Sequence, residues 1–192
     1  MVDMSRHAVS FGPAGYVDVV AAQANFVPPS NCNVFAFNSL STSTPIWQWN
    51  MSNCDSSLLY DSDRYIDISD DGSTVAFSAF LPEGTKSSPL LTVFDGQTGA
   101  VRYSKNLGTT GEGGPVQLSE NGAWAAWTQG DSVVVYDGKT GAVRDTISMG
   151  WNTAAQLSDS GDFLAFGGDD IAHVYTWSAA NSQYTSTYSF KP

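Results

Sequence analysis

Residues 93–102, Val-Phe-Asp-Gly-Gln-Thr-Gly-Ala-Val-Arg, return at 135–144 as Val-Tyr-Asp-Gly-Lys-Thr-Gly-Ala-Val-Arg. Eight of the ten positions are identical, at an offset of 42 residues between Asp95 and Asp137. A repeat of that period constrains the fold more than any composition, because each unit must bury one face against its neighbour. A second repeated frame interleaves with the first. It reads Ile-Ser-Asp-Asp-Gly-Ser-Thr-Val-Ala-Phe at 68–77, Leu-Ser-Glu-Asn-Gly-Ala-Trp-Ala-Ala-Trp at 118–127 and Leu-Ser-Asp-Ser-Gly-Asp-Phe-Leu-Ala-Phe at 157–166. The shared pattern, apolar-Ser-acid-x-Gly-x-x-apolar-Ala-aromatic, predicts strand, tight turn, strand. Ser, Asp and Asn bond their own backbone in such turns, and Gly accepts a positive φ.

Two frames per unit give four strands per unit. In the third unit they are expected at 116–119, 124–128, 132–136 and 142–148, and in the fourth at 154–158, 163–167, 172–177 and 183–190. The second unit runs from Tyr65 to about Asn106, and its residues 81–90, with two prolines, read as a long connection. A fainter first unit opens with residues 11–20 and continues through 33–38 to the alternating stretch 45–49. There Asp18 stands where the other copies are apolar, which suits a strand facing water or a site. The reading is therefore all-β, a single domain over residues 1–192 with units at approximately 5–52, 62–107, 113–149 and 152–190.

The segment 135–141 resembles the aromatic-Asp-x-x-Thr-Gly ending of the third strand in WD40-like and PQQ/YVTN-like β-propeller repeats. Residues 157–165 resemble the same families' turn between first and second strands. Gly168-Asp169-Asp170, and Asp131 one unit earlier, resemble a second-to-third turn whose Asp braces the blade. The resemblance implies a β-propeller of about four four-stranded blades, either four-bladed or partial. The Gly-His dipeptide of WD40 blades is absent. Tyr103 and Asp145 stand near the place of the Trp that PQQ-type repeats carry. Only architecture is carried over, since propellers host many functions.

Charge and motif content narrow the function. The chain has 8 basic and 19 acidic residues, a formal net charge of −11, so it lacks the basic footprint of a nucleic-acid or anionic-membrane binder. No apolar run reaches the length of a membrane span. Residues 1–7 lead into no apolar signal segment, so an exported protein is expected to have lost its signal or to be a piece of something longer. His7 and His173 are the only histidines, and no Gly-x-Ser-x-Gly elbow accompanies them. Zinc-ligand spacings are missing, so neither a metal nor a cofactor is expected. The oxygen-rich run 67–73 reads as a hairpin turn, and the glycine-rich run 108–114 as an inter-blade loop.

Four groups of residues remain as candidate sites. Ser10, Asp67, Gln117 and Gln156 each stand five residues before a turn Gly, on the strand expected to border the central channel. They form either a polar ring for a small ligand or hydrogen-bonding partners for channel water and neighbouring blades. His7, Arg64, Tyr65, Trp151 and Asn152 fall near loops on one face and suit recognition of a protein or glycan. Cys32 and Cys54 flank two strands and a turn, so a local disulfide is geometrically feasible, and Asn50-Met51-Ser52 is a glycosylation sequon. Both tilt toward an extracellular or extracytoplasmic setting. The expected function is a noncatalytic binding or scaffolding module for a protein or glycan partner. The alternative is the propeller portion of an enzyme, quinoprotein-like or peptidase-gating, whose catalytic residues lie outside the chain. Exposed end faces predict self-association or additional blades that close the ring.

Overall fold

The computed structural model describes residues 6–9, 19–25, 31–38, 44–52, 54, 65–83, 86–108, 113–148, 154–168 and 171–191. Every regular element among them is a strand, in four antiparallel sheets of four. The first sheet is β1 (Arg6–Val9), β2 (Val19–Asn25), β3 (Asn31–Phe37) and β4 (Trp47–Ser52). The second is β5 (Ile66–Ile68), β6 (Thr74–Glu83), β7 (Lys86–Asp95) and β8 (Val101–Asn106). The third is β9 (Val116–Leu118), β10 (Trp124–Gln129), β11 (Ser132–Asp137) and β12 (Val143–Ser148). The fourth is β13 (Ala154–Leu157), β14 (Phe163–Gly168), β15 (Ile171–Ser178) and β16 (Gln183–Phe190). Each sheet keeps its strands in chain order, so every connection within it joins adjacent strands. The innermost strands of successive sheets pack on one another, β5 on β1, β9 on β5 and β13 on β9. The sheets do not close into a ring.

The local chemistry of the repeat accounts for these hairpins. In the first turn of three sheets the frame serine closes the loop: the Thr74, Trp124 and Phe163 amides donate to the Oγ of Ser69, Ser119 and Ser158 at 3.0, 3.1 and 3.0 Å. Asp71 and Asn121 accept the Ser73 and Ala123 amides, the bonding that favours Asx residues in turns. At the other recurring turn, Asp95 accepts the amide and hydroxyl of Thr98, and Asp137 those of Thr140. Burial opposes ionisation of Asp95, but bonds from Arg102 and Thr98 hold its carboxyl below the ordinary range. A register shift between Val93 and Phe94, and another between Val135 and Tyr136, bends each third strand toward its turn.

Residues 81–90 correct the sequence reading. They are no loop: β6 and β7 extend past their sheet as a hairpin, pairing Leu81 with Ser88, Pro82 with Ser87 and Glu83 with Lys86. Pro82 is tolerated because β5 pairs with β6 only at Val75–Phe77, so the amide it lacks has no ladder partner to lose. Asp131 also departs from expectation. It is exposed at the two-residue turn between β10 and β11 rather than bracing the sheet.

Three apolar cores fill the spaces between sheets. Cys32, Val34 and Ala36 of the first sheet meet Ile66, Val75, Phe77 and Phe94 of the second. Ala76, Leu91 and Val93 on its far side meet Val116, Leu118, Trp127 and Tyr136 of the third. Val133, Val135 and Ile147 then meet Ala155, Leu157, Leu164 and Phe166 of the fourth. Alternation along each strand thus supplies both faces of a middle sheet, which is why these strands read as nearly continuous apolar runs.

The arginine that ends each repeated decapeptide bolts one sheet to the next. The Arg102 guanidinium pairs with Asp95 at 3.0 Å and donates to the Ser73 carbonyl, the Thr74 hydroxyl and the Gly138 carbonyl of the third sheet. Arg144 lies between the Trp124 and Trp177 rings, 3.9 Å from each centroid, and donates to the Gly161 carbonyl at 2.7 Å. The first sheet is braced differently. Cys32 and Cys54 form a disulfide with Cα atoms 5.7 Å apart, and both residues are buried.

Candidate functional site

Two rows of polar residues run across the stacked sheets, one residue per sheet. The inner row lies on the first strands. Asp67 on β5 accepts the Leu118 amide of β9 at 2.7 Å and the Ile68 amide at 2.9 Å, so it ties the second sheet to the third. Burial pushes its carboxyl up to about 6, against the lowering effect of those two amides. Gln117 occupies the same position one sheet later, and its Oε1 is buried without a hydrogen-bond partner. Gln156, on the last sheet, is exposed. The row therefore grades from a bonded carboxyl, through an unpaired amide oxygen, to an open amide. Ser10 lies outside the described residues.

The second row sits on the turns between first and second strands. Asp70, Glu120 and Asp159 are the acid of the repeated frame, and all three are exposed. Backbone bonds clip successive turns together: the Asp70 amide donates to the Glu120 carbonyl at 2.8 Å, and the Asn121 amide to the Asp159 carbonyl at 3.4 Å. The carboxyls are thereby drawn side by side. A hydrogen bond shared with the Asp159 carboxyl raises Glu120 above its ordinary value, and the charges of Asp159 and Asp70 add to the shift. The ion-paired arginines, Arg102 and Arg144, engage other carboxylates, Asp95 and Asp162. In the sequence this acid is a fixed member of the repeated frame with no function attached to it. The signal that would have found it is its recurrence at one exposed turn position in consecutive units.

The residues selected from sequence for a loop-face site are only partly within view. Arg64, Trp151 and Asn152 lie outside the described residues. His7 is on β1, its backbone in register with Ala21. Tyr65 immediately precedes β5, is half-buried, and sets its ring edge-on to Phe80 at 6.2 Å. Asn50 is exposed on β4, where its side-chain amide donates to Asn33 at 2.7 Å. His173 is half-buried on β15, 5.2 Å from the Phe166 ring. Asp71, in the oxygen-rich run, uses Oδ1 to accept the Ser69 hydroxyl and the Ser73 amide. Among the described residues, no nucleophile, base and orienting carboxylate come together in these contacts.

No family model matches the chain, and no curated protein matches it. Solved structures do. The Myceliophteria thermophila Cps50 (Swd1) β-propeller domain superposes with a TM-score of 0.58 at 16% identity, covering 98% of this chain and 58% of that one. Hsv2 of Kluyveromyces lactis gives 0.57 at 9% identity, covering 96% and 62%. BamB of Moraxella catarrhalis gives 0.56 at 15% identity, covering 99% and 49%. The chain thus spans about half to three fifths of the length of these structures. At such identities the likeness shows the fold, which is that of the WD40-like and PQQ-like propellers expected from the repeat.

Proposed function

We propose that the chain is a noncatalytic recognition module whose turn face, carrying Asp70, Glu120 and Asp159, binds a basic segment of a protein partner. The observation that carries this reading is the exposed carboxylate row. Three acidic side chains stand on turns clipped together by backbone bonds, in a chain whose formal net charge is −11. Such a row repels itself, and lysine or arginine side chains relieve the repulsion on binding. The hairpins beneath it, each closed by its frame serine, fix the backbone that carries the carboxylates before association, which lowers the ordering cost of binding. A protein partner also agrees with the company that one solved neighbour keeps, a mitotic checkpoint complex, to which this chain is 12% identical with a TM-score of 0.58. The buried Cys32–Cys54 disulfide supports work in an oxidising, extracytoplasmic compartment.

Fluorescence anisotropy with a labelled Lys/Arg-rich peptide and a neutral peptide of equal length tests the reading. Binding of the basic peptide alone is expected, weakening with added salt. The triple variant D70N/E120Q/D159N is expected to lose roughly tenfold or more in affinity, about 1.4 kcal/mol. Equal binding by the triple variant sinks the proposal. Loss of binding on Tyr65→Ala, with the triple variant unaffected, transfers the site to the chain that enters β5.

A further inference from the structure

The fourth sheet leaves bare the face that the third sheet buries. On the third sheet, Ala126, Val135 and Ile147 point at the fourth and are 2%, 0% and 6% exposed. Their equivalents by register are Ala165, Val174 and Phe190: Phe190 stands opposite Ala172 as Ile147 stands opposite Val133. Ala165 is exposed and Phe190 is 58% exposed. A groove of ≈ 280 Å³ runs over this area, lined by Gln156, Ala165, Val174 and Phe190 among others.

Tyr188 makes the equivalence more specific. It lies opposite Val174, as Tyr103 lies opposite Val93 and Trp47 opposite Ala36. Those two aromatic rings cap the next sheet, Tyr103 against Gly141 and Trp47 against Gly99. Tyr188 carries the same ring in the same place, yet is 69% exposed.

The other end of the chain presents the complementary half. The core-facing residues of β3 are Cys32, Val34 and Ala36, so Phe35 and Phe37 point away from the second sheet. They occupy the places of Thr92 and Phe94, and of Val134 and Tyr136, which a preceding sheet covers to between 0% and 7% exposure. Phe35 and Phe37 are half-buried. Each chain therefore carries both halves of an interface it already makes three times internally.

We propose that two copies of this chain pair head to tail, the fourth sheet of each on the first sheet of the other, closing a ring of eight sheets. The surface is continuous in kind with the three internal sheet contacts, and the two-fold arrangement satisfies both end faces of both copies. Two copies also supply the length of a larger propeller chain: this chain covers 49% of the Moraxella catarrhalis BamB chain. Pairing uses the sides of the stack and is independent of the partner proposed for the turn face.

Size-exclusion chromatography with light scattering on the 192-residue chain tests it. The expected species is twice the 20.5 kDa chain mass. Ala165→Arg on the fourth sheet, or Phe37→Glu on the first, is expected to give a folded 20.5 kDa species, folding being checked by circular dichroism. Mixing those two variants restores a pair, because one of its two interfaces is then unmodified on both sides. Val174→Glu replaces Ala165→Arg if the latter does not fold. A monomeric unmodified chain, a pair that the substitutions leave intact, variants that do not complement, or an open polymer would each overturn the proposal.

Discussion

Asp67 shows how one half-buried aspartate couples the sheet stack to pH. Its raised value, about 6 against an ordinary 3.8, comes first from burial at the inner edge, with two amides lowering it and the Asp70 charge adding to the rise. An acid with a folded-state pKa above its unfolded one binds more protons when folded. The stability it contributes is complete below about pH 3.8 and is lost as pH rises through about 6. The gap corresponds to about 3 kcal/mol at most. Denaturant midpoints between about pH 4 and 7 are expected to fall across that window in the unmodified chain. In Asp67→Asn, which keeps an acceptor for the Leu118 amide, that component of the slope should vanish. An unchanged slope would mean that Asp67 is solvated. The repeat leaves a matching irregularity further along: Trp127 donates its indole N–H to the Ser78 hydroxyl at 3.0 Å, whereas Phe166, at the same place one sheet later, has nothing to donate. Thr128, the counterpart of Ser78, accordingly has a buried hydroxyl without a partner.

The Thr-Gly turns belong to the scale of the element, where backbone conformation and packing act together. Gly141 has φ +70° and an added Cβ would lie 2.7 Å from the Tyr103 ring, while Gly108 has φ +70° with nothing within 4 Å. The two glycines thus separate backbone strain from steric exclusion. Gly108→Ala is expected to cost about 1 kcal/mol from the left-handed conformation alone. Gly141→Ala should cost about 2–4 kcal/mol, because the ring that caps the turn must also move. Thermal or urea denaturation of both variants reads the difference, and equal losses would show that the aromatic cap contributes nothing. The contrast also shows what the sequence made legible. Turns closed within a few residues, by Ser69 on Thr74 or Asp137 on Thr140, leave a local pattern that a reader can see. The Tyr103 cap and the Arg144 stack depend on how sheets stack, which no spacing along the chain encodes; the acids Asp70, Glu120 and Asp159 do recur in the frame, but the backbone bonds that clip their turns together become visible only in the stack. Residues 81–90 look like a loop in the sequence for a related reason: proline disfavours a strand only where its missing amide would have met a partner, and at Pro82 it meets none.

For the whole molecule, stacking makes stability close to one-dimensional: each sheet gains its energy from the sheets beside it. The middle sheets are buried on both faces, the fourth on one. The first sheet carries the Cys32–Cys54 disulfide as well, closing a separation of 22 residues, which is worth about 3 kcal/mol through the restricted unfolded chain. Hydrogen exchange on the Ala165→Arg chain, where the fourth face is blocked, should therefore rank protection by neighbours. Amides of β7 and β11 are expected to be slowest, and those of β15 and β16 faster by the free energy of detaching one sheet. Reduction of the disulfide should lower protection in β3 and β4 first and leave the order of the other sheets unchanged. If reduction instead loosens all four sheets equally, the stack unfolds as one cooperative unit and the nearest-neighbour picture fails. If the fourth sheet exchanges as slowly as the third, its bare face costs nothing, and the apolar residues displayed there are stable in water without a partner.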